Sequence, residues 1–326
     1  MIIKDILDME PLLQKYGYNP DAEKIGKRLD TIAANIDNVT TPEVLKTCMS
    51  IMDLTTLRTE DTPDSVAKLA AKVNSFKEDF PAYPLPASVC VFSNMASVVK
   101  DTLTDKSVHV TAVSGCFPTS QSFIEVKVKE CEMAVEAGAD EIDIVLALNS
   151  FMAKDYESAR KEIRAMKEAI DCAANKLGKK VVLKVILETG LLVTPERIAE
   201  ASFLAMEEGA DFIKTSTGKV SVNATPMAAY IMCECVKAFY EKTGRKVGFK
   251  AAGGISTAKD AVCYYSIVKT ILGEEWLNKS LFRFGVSRLA NSLMSAIENV
   301  RSFSAFSFAR CARNPRSVLY LLDFTS

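Results

Sequence analysis

A chain of 326 residues with 48% hydrophobic and 25% charged side chains has an ordinary globular composition and enough apolar mass for one large core. Its net charge of −1 gives no global field to hold nucleic acid or an anionic membrane, so any anion site is local. No apolar run reaches the length of a membrane span, and Met1-Ile2-Ile3-Lys4-Asp5 lacks the layout of a secretion signal, so a soluble, cytoplasmic protein is expected.

Residues 1–47 read as helical, with Ile25, Leu29, Ile32 and Ile36 at the spacing of one buried stripe. Short apolar runs then alternate with longer amphipathic stretches. The runs are Ser50–Leu54, Ser88–Phe92, Val108–Val113, Ile142–Leu146, Val181–Leu187, Phe212–Lys214, Val247–Lys250 and Phe282–Gly285, which makes eight candidate strands. Between the fourth and fifth, Tyr156, Ala159, Ile163, Met166, Ile170 and Ala173 step by three and four, as on one face of a helix. Thr-Pro recurs at Thr41-Pro42, Thr62-Pro63, Thr194-Pro195 and Thr225-Pro226, each before a helical pattern. Threonine there accepts from a free first-turn amide, and proline at the first helical position forfeits no hydrogen bond.

Strands apolar on both faces and alternating with helices call for a parallel sheet covered by helices, and eight is the number that closes a barrel. The expected class is α/β: a (β/α)8 TIM barrel over residues 48–302 behind an N-terminal helical extension, 1–47. An open doubly wound sheet is the rival, weakened because no G-x-G-x-x-G turn follows the first strand. Residues 303–326, rich in Phe, Ser and Arg, break the pattern, and a loose tail and an oligomer contact both stay open there.

His109 is the only histidine, which removes any metal site needing two imidazoles and any Ser-His-Asp triad except through that residue. It alternates with apolar neighbours and reads as a plain strand residue. The nine cysteines form no C-x-x-C pair and read as reduced, mostly buried thiols. Cys233 and Cys235, two apart on an expected helix, point to different faces and make a poor metal pair.

Barrel enzymes place their chemistry at the C-terminal ends of the strands, so charges inside the apolar runs are informative. These are Asp53 on the first strand, Asp143 on the fourth, Lys184 on the fifth, Lys214 on the sixth and Lys250 on the seventh. Each alone fits a structural ion pair; two carboxylates and three lysines aimed into one barrel mouth fit a reactive site better. Crowded, desolvated lysines lose protons more easily, a neutral amine attacks a carbonyl to form a Schiff base, and nearby carboxylates move protons. This suggests Schiff-base chemistry on a carbonyl compound, with no metal and no cofactor. Thr215-Ser216-Thr217-Gly218-Lys219 and Ala251-Ala252-Gly253-Gly254-Ile255-Ser256-Thr257 follow two of these lysines. Such glycine turns either bring amides to an anion, aided by the next helix N-terminus, or are ordinary tight turns. A Walker A reading of the first fails because Val220 follows Lys219.

On these segments the chain resembles the deoxyribose-phosphate aldolases, class I aldolases with a (β/α)8 barrel. The resemblance is carried by Asp53-Leu54-Thr55-Thr56-Leu57, Gly138 to Asp143, Leu183 to Gly190, Asp211 to Lys219, Val247-Gly248-Phe249-Lys250 and Arg283-Phe284-Gly285, in the same order across roughly residues 48–300. The Lys-Thr-Ser-Thr-Gly-Lys segment with the later Gly-Phe-Lys is the most specific part. The resemblance implies reversible cleavage of 2-deoxy-D-ribose 5-phosphate into acetaldehyde and D-glyceraldehyde 3-phosphate. It implies Lys214 as the Schiff-base lysine, Lys250 as the lysine that perturbs it, Asp143 as the proton relay, and Asp53 and Lys184 as lining residues that orient substrate. It implies phosphate contacts at Gly218, Lys219, Gly253, Gly254 and Ser287, and a possible homodimer, since members of the family are often dimers.

The chain departs from the family in places. Ala251 and Ser256 replace a proline and a basic or aliphatic residue, Phe92-Ser93 an aromatic–proline step, and Arg288 the second of two serines. Whether Arg288 reaches a phosphate or points away is open. Some members use a C-terminal tyrosine; Tyr320 is the only tail tyrosine, and no tail residue is carried over. Two other functions stay open: a sugar-phosphate isomerase with Asp53 or Asp143 as base, and a non-catalytic phospho-ligand binder on the same barrel.

Overall fold

The computed structural model describes residues 12–306. Residues 1–11 and 307–326, the latter holding most of the expected tail and Tyr320, lie outside the described residues.

Eight parallel strands close into a barrel in chain order: β1 (Met52–Thr55), β2 (Ser88–Phe92), β3 (His109–Val113), β4 (Glu141–Val145), β5 (Val182–Ile186), β6 (Phe212–Lys214), β7 (Gly248–Ala252) and β8 (Phe282–Val286). β8 closes onto β1, with Met52 opposite Phe284 and Asp53 opposite Gly285. The open doubly wound alternative is thereby excluded. The strands are buried almost throughout because helices cover the outside of the barrel and side chains fill the inside.

The first strand begins later than its apolar run suggests. The helix Pro42–Ser50 takes Ser50, burying Leu45, Cys48 and Met49, and β1 starts at Met52. The other strands fall within a residue or two of the expected runs, the largest shift being β7, which continues to Ala252. All four Thr-Pro steps are helix starts: Thr41, Thr62, Thr194 and Thr225 each accept a first-turn amide, with proline just inside the helix. The helix Tyr156–Lys176 buries Ala159, Ile163, Met166, Ile170 and Ala173, and Asp155 caps it. Ahead of the barrel, the helix Ala22–Val39 packs against the helices Pro226–Thr243 and Ala258–Leu272, burying Ile25, Ile32 and Ile36 with Leu29 half-buried. The last helix, Leu289–Phe306, continues past residue 302.

Alternation along the strands divides two interiors. Ile142, Ile144, Leu183, Val185, Ile213 and Phe249 belong to the apolar layer between barrel and helices. Their neighbours on the same strands, Glu141, Asp143, Lys184 and Lys250, make bonds across the barrel to residues of other strands, so they face its axis. Gly248 keeps this packing possible: a Cβ there would lie 2.3 Å from the buried ring of Phe212. Gly248→Ala is expected to destabilise the fold by about 1–3 kcal/mol through overpacking. Urea unfolding measures this, and a loss near zero would show that Phe212 moves aside without cost.

Candidate active site

Strand register brings the predicted charges together. Asp143 stands beside Lys184, and Lys214 beside Lys250, on paired strands. Asp143 is the hub: Lys184 Nζ donates to Oδ1 at 2.8 Å, while Lys214 Nζ and Lys250 Nζ both donate to Oδ2 at 2.8 Å. Asp53 receives Lys250 on Oδ2 at 2.5 Å and lies 3.8 Å from Lys184. All five predicted residues therefore form one buried cluster.

The expected set was too small. Glu141 and Arg283 are also buried along the axis: Arg283 Nη1 donates to Asp53 Oδ1 at 2.5 Å, Arg283 Nη2 to Glu141 Oε1 at 2.6 Å, and Lys184 Nζ lies 2.5 Å from Glu141 Oε2. Both were legible. Glu141 stands two residues before Asp143, on the same face of the strand, and Arg283 lies between Phe282 and Phe284 inside an apolar run. Glu141 sits just outside the apolar run, which begins at Ile142. His109, expected to be a plain strand residue, opens β3 with Nδ1 2.7 Å from Glu141 Oε1.

Four cations thus face three carboxylates in a water-poor interior. Burial alone pushes each carboxyl up, but neighbouring cations outweigh it. Asp143 is held well below the usual carboxylate range by Lys184, Lys214 and Lys250, Asp53 is held below it by Lys250 and Arg283, and Glu141 well below it by Lys184 and Arg283. The lysines divide. Burial draws Lys250 and Lys184 down, yet each has two close carboxylates that more than compensate, so both hold their protons more tightly than usual. Lys214 has Asp143 alone; burial, aided by the Lys250 ammonium, draws it below the ordinary lysine value.

A cavity of about 600 Å³ lies at the C-terminal ends of β1, β6, β7 and β8, and Lys214 is the one charged group of this cluster that lines it. Gly218, Lys219, Gly253, Gly254 and Ser287 line the same cavity, as does Arg288, which answers where that arginine stands. Leu54 and Leu57 supply an apolar wall. Gly253 is held at φ +82°, and a Cβ there would strike the Asn223 side chain at 2.7 Å, so the loop needs a glycine at that position. Lys219 Nζ donates to the Leu57 carbonyl at 2.5 Å, tying the loop after β6 to the loop after β1.

One expected donor is already spoken for. The amides of Ser256 and Thr257 donate to Asp260, that of Asp260 to Thr257 Oγ1, and that of Ala258 to Ser292 Oγ, so these four amides at the start of the helix Ala258–Leu272 are taken by its capping box and by Ser292 of the last helix. The Gly253 amide donates to the Gly285 carbonyl at 3.4 Å, so of the two turn glycines Gly254 is the better placed to meet an anion. A further residue went unassigned in the sequence: Glu188, buried and left-handed at φ +54°, accepts from the Thr217 hydroxyl at 2.5 Å and from the Thr217 amide at 3.2 Å. It holds the loop that carries Gly218 and Lys219.

A closed α/β barrel with a desolvated lysine at its mouth, one carboxylate on it and a second lysine beside it, is built as a carbonyl-chemistry enzyme. Residues 47–275 match the sequence model of the DeoC/LacD family aldolases, and the chain belongs to this family of lyases. A Caenorhabditis elegans protein provisionally named deoxyribose-phosphate aldolase is 37% identical over 297 residues, 90% of this chain and 95% of its own length. The human protein named deoxyribose-phosphate aldolase is 38% identical over 255 residues, 75% of this chain and 78% of its own. A crystal structure from Coccidioides immitis, provisionally described by the same name, superposes with a TM-score of 0.63 at 25% identity, covering 85% of this chain and 98% of its own. Among the described residues no helix is long and apolar enough to cross a membrane.

The carboxylates set the acid limit. Asp53, Glu141 and Asp143 are depressed in the fold, so their contribution is complete above the ordinary carboxylate range, about pH 4, and is lost as pH falls through the native values. Acid titration followed by circular dichroism should show stability falling below about pH 4. Asp143→Asn, which leaves three lysines short of a partner, is expected to lose about 3–5 kcal/mol in denaturant unfolding at neutral pH; an undiminished stability would contradict the hub role.

Proposed function

We propose that the chain reversibly cleaves 2-deoxy-D-ribose 5-phosphate into acetaldehyde and D-glyceraldehyde 3-phosphate through a Schiff base on Lys214. The observation that carries this reading is the asymmetry of the three clustered lysines: of Lys184, Lys214 and Lys250, only Lys214 is drawn below its ordinary value and only Lys214 lines the cavity.

Neutral Lys214 Nζ attacks C1 of the open-chain sugar, and the carbinolamine loses its oxygen as water to give an iminium. The C3 hydroxyl gives up its proton, the C2–C3 bond breaks, and its electron pair forms the enamine as glyceraldehyde 3-phosphate departs. C2 then takes a proton, water adds to the iminium, and acetaldehyde leaves with Lys214 restored. Asp143, 2.8 Å from Lys214 Nζ, relays these protons directly or through water. Lys250 keeps its own proton and lowers the affinity of Lys214 for one; Asp53 and Lys184 hold Lys250 and Asp143 in place. The substrate phosphate lies against Gly218, Lys219, Gly253, Gly254 and Ser287, where backbone amides and one ammonium meet it.

Incubation with acetaldehyde and borohydride, then peptide mapping, is expected to find a reduced two-carbon adduct on Lys214 that is absent from Lys214→Arg. No adduct on any lysine of a folded sample would remove this reading in favour of an isomerase or a binder. Lys250→Leu is expected to lose well over tenfold in turnover, more than about 1.4 kcal/mol of barrier lowering, and a smaller loss in steady-state assays would remove its assigned role.

A further inference from the structure

One ionisable side chain joins the buried network from the opposite face of the barrel. His109 is the first residue of β3, at the N-terminal rim, and its side chain keeps 39% exposure. Its partner Glu141 is fully buried and saturated: Oε1 pairs with His109 Nδ1 at 2.7 Å and takes Arg283 Nη2 at 2.6 Å, while Oε2 takes Thr111 Oγ1 at 3.0 Å and Arg283 Nη1 at 3.1 Å and lies 2.5 Å from Lys184 Nζ. Lys184 is shared in turn with Asp143, and Asp143 with Lys214, both at 2.8 Å. Hydrogen bonds and the Lys184–Glu141 ion pair therefore form an unbroken line of polar contacts across the barrel, from solvent at His109 to the lysine at the mouth.

We propose that His109 is a positioning residue for the reaction, acting on Lys214 from the far face of the barrel through Glu141, Lys184 and Asp143; this rests on the Schiff-base reading of Lys214. Two carboxylates compete for Lys184. A donor on Glu141 Oε1 lessens the demand of that carboxylate on Lys184 and leaves the ammonium to neutralise Asp143. The better Asp143 is neutralised from that side, the less it holds the proton on Lys214. Without His109, Lys184 leans to Glu141, Asp143 turns to Lys214 and Lys250, and Lys214 stays protonated to higher pH. Positive charge on the imidazole acts in the same direction, because it disfavours a further cation along the axis. The other charged groups around His109 are Lys100 and Asp140, 3.5 Å apart, and Asp105, Lys106 and Lys180, which share a recess of about 210 Å³ with it. None of these five is bonded to Glu141, so His109 is the group on this rim that couples to the axis.

The test exposes wild type, His109→Phe and His109→Asn to acetaldehyde and cyanoborohydride from about pH 5 to about pH 8, and reads the Lys214 adduct by mass. The midpoint for His109→Phe is expected to move to higher pH by about half to one unit, roughly a three- to tenfold lower yield on the acid side. His109→Asn, whose amide nitrogen can stand in for Nδ1 as a donor to Glu141, is expected to return toward wild type. A yield lowered by the same factor at every pH, with an unmoved midpoint, would mark a merely structural role and overturn the proposal, as would unchanged behaviour in both variants. No Lys214 adduct in the wild type would overturn the Schiff-base reading, and this proposal with it.

Discussion

The carboxylate of Asp143 receives three ammonium groups at 2.8 Å, and the interior of the barrel is organised around that sharing. Moving one ion out of water costs several kcal/mol even after relaxation, so no single pair inside the barrel would be stable in isolation. The arrangement holds because each ion serves several partners. Asp53 links Lys250 to Arg283, Arg283 links Asp53 to Glu141, and Glu141 links back through Lys184 to Asp143. The barrel makes this possible by aiming alternate residues of different strands at one axis.

Within the ring, the number of carboxylates per lysine decides which amine holds its proton least tightly. Lys184 and Lys250 are each braced by two close carboxylates, and Lys214 by one. With four cations against three anions, the charge that the interior most readily sheds is the proton of the least-braced lysine. That lysine also touches the cavity, whereas its neighbours are sealed. The weakness in the network and the opening to the cavity coincide at one nitrogen, which is the arrangement that the proposed Schiff base on Lys214 requires.

Around the mouth the loops are held by local bonds that leave specific groups free. Glu188 fixes Thr217, Lys219 reaches the Leu57 carbonyl, and Asp260 occupies the Ser256 and Thr257 amides that lead into the helix after β7. The Gly253-Gly254 turn and the Gly218-Lys219 turn are thereby left facing one cavity, with Leu54 and Leu57 on its apolar side. A sugar phosphate suits this division, since its dianion and its carbon chain ask for different walls.

Much of this architecture was legible without coordinates. Short apolar runs between amphipathic stretches marked the eight strands, the Thr-Pro steps marked four helix starts, and charges stranded in apolar runs marked Asp53, Asp143, Lys184, Lys214 and Lys250. These are local signals, set by side-chain spacing and by the backbone chemistry of single residues. Glu141 and Arg283 carry the same signal at the edge and in the middle of a run, Glu141 on the strand face of Asp143 and Arg283 between two phenylalanines. Pairing was beyond reach. That Lys214 has one carboxylate while Lys250 has two, that Lys219 bonds across to Leu57, that His109 touches Glu141, and that Ala258 donates to Ser292 all depend on distances between residues far apart in the chain. Residue type and spacing along one strand determined which groups enter the barrel; only closure of the barrel decided which of them meet, because proton affinity depends on neighbours within a few ångströms in space and not on neighbours in sequence.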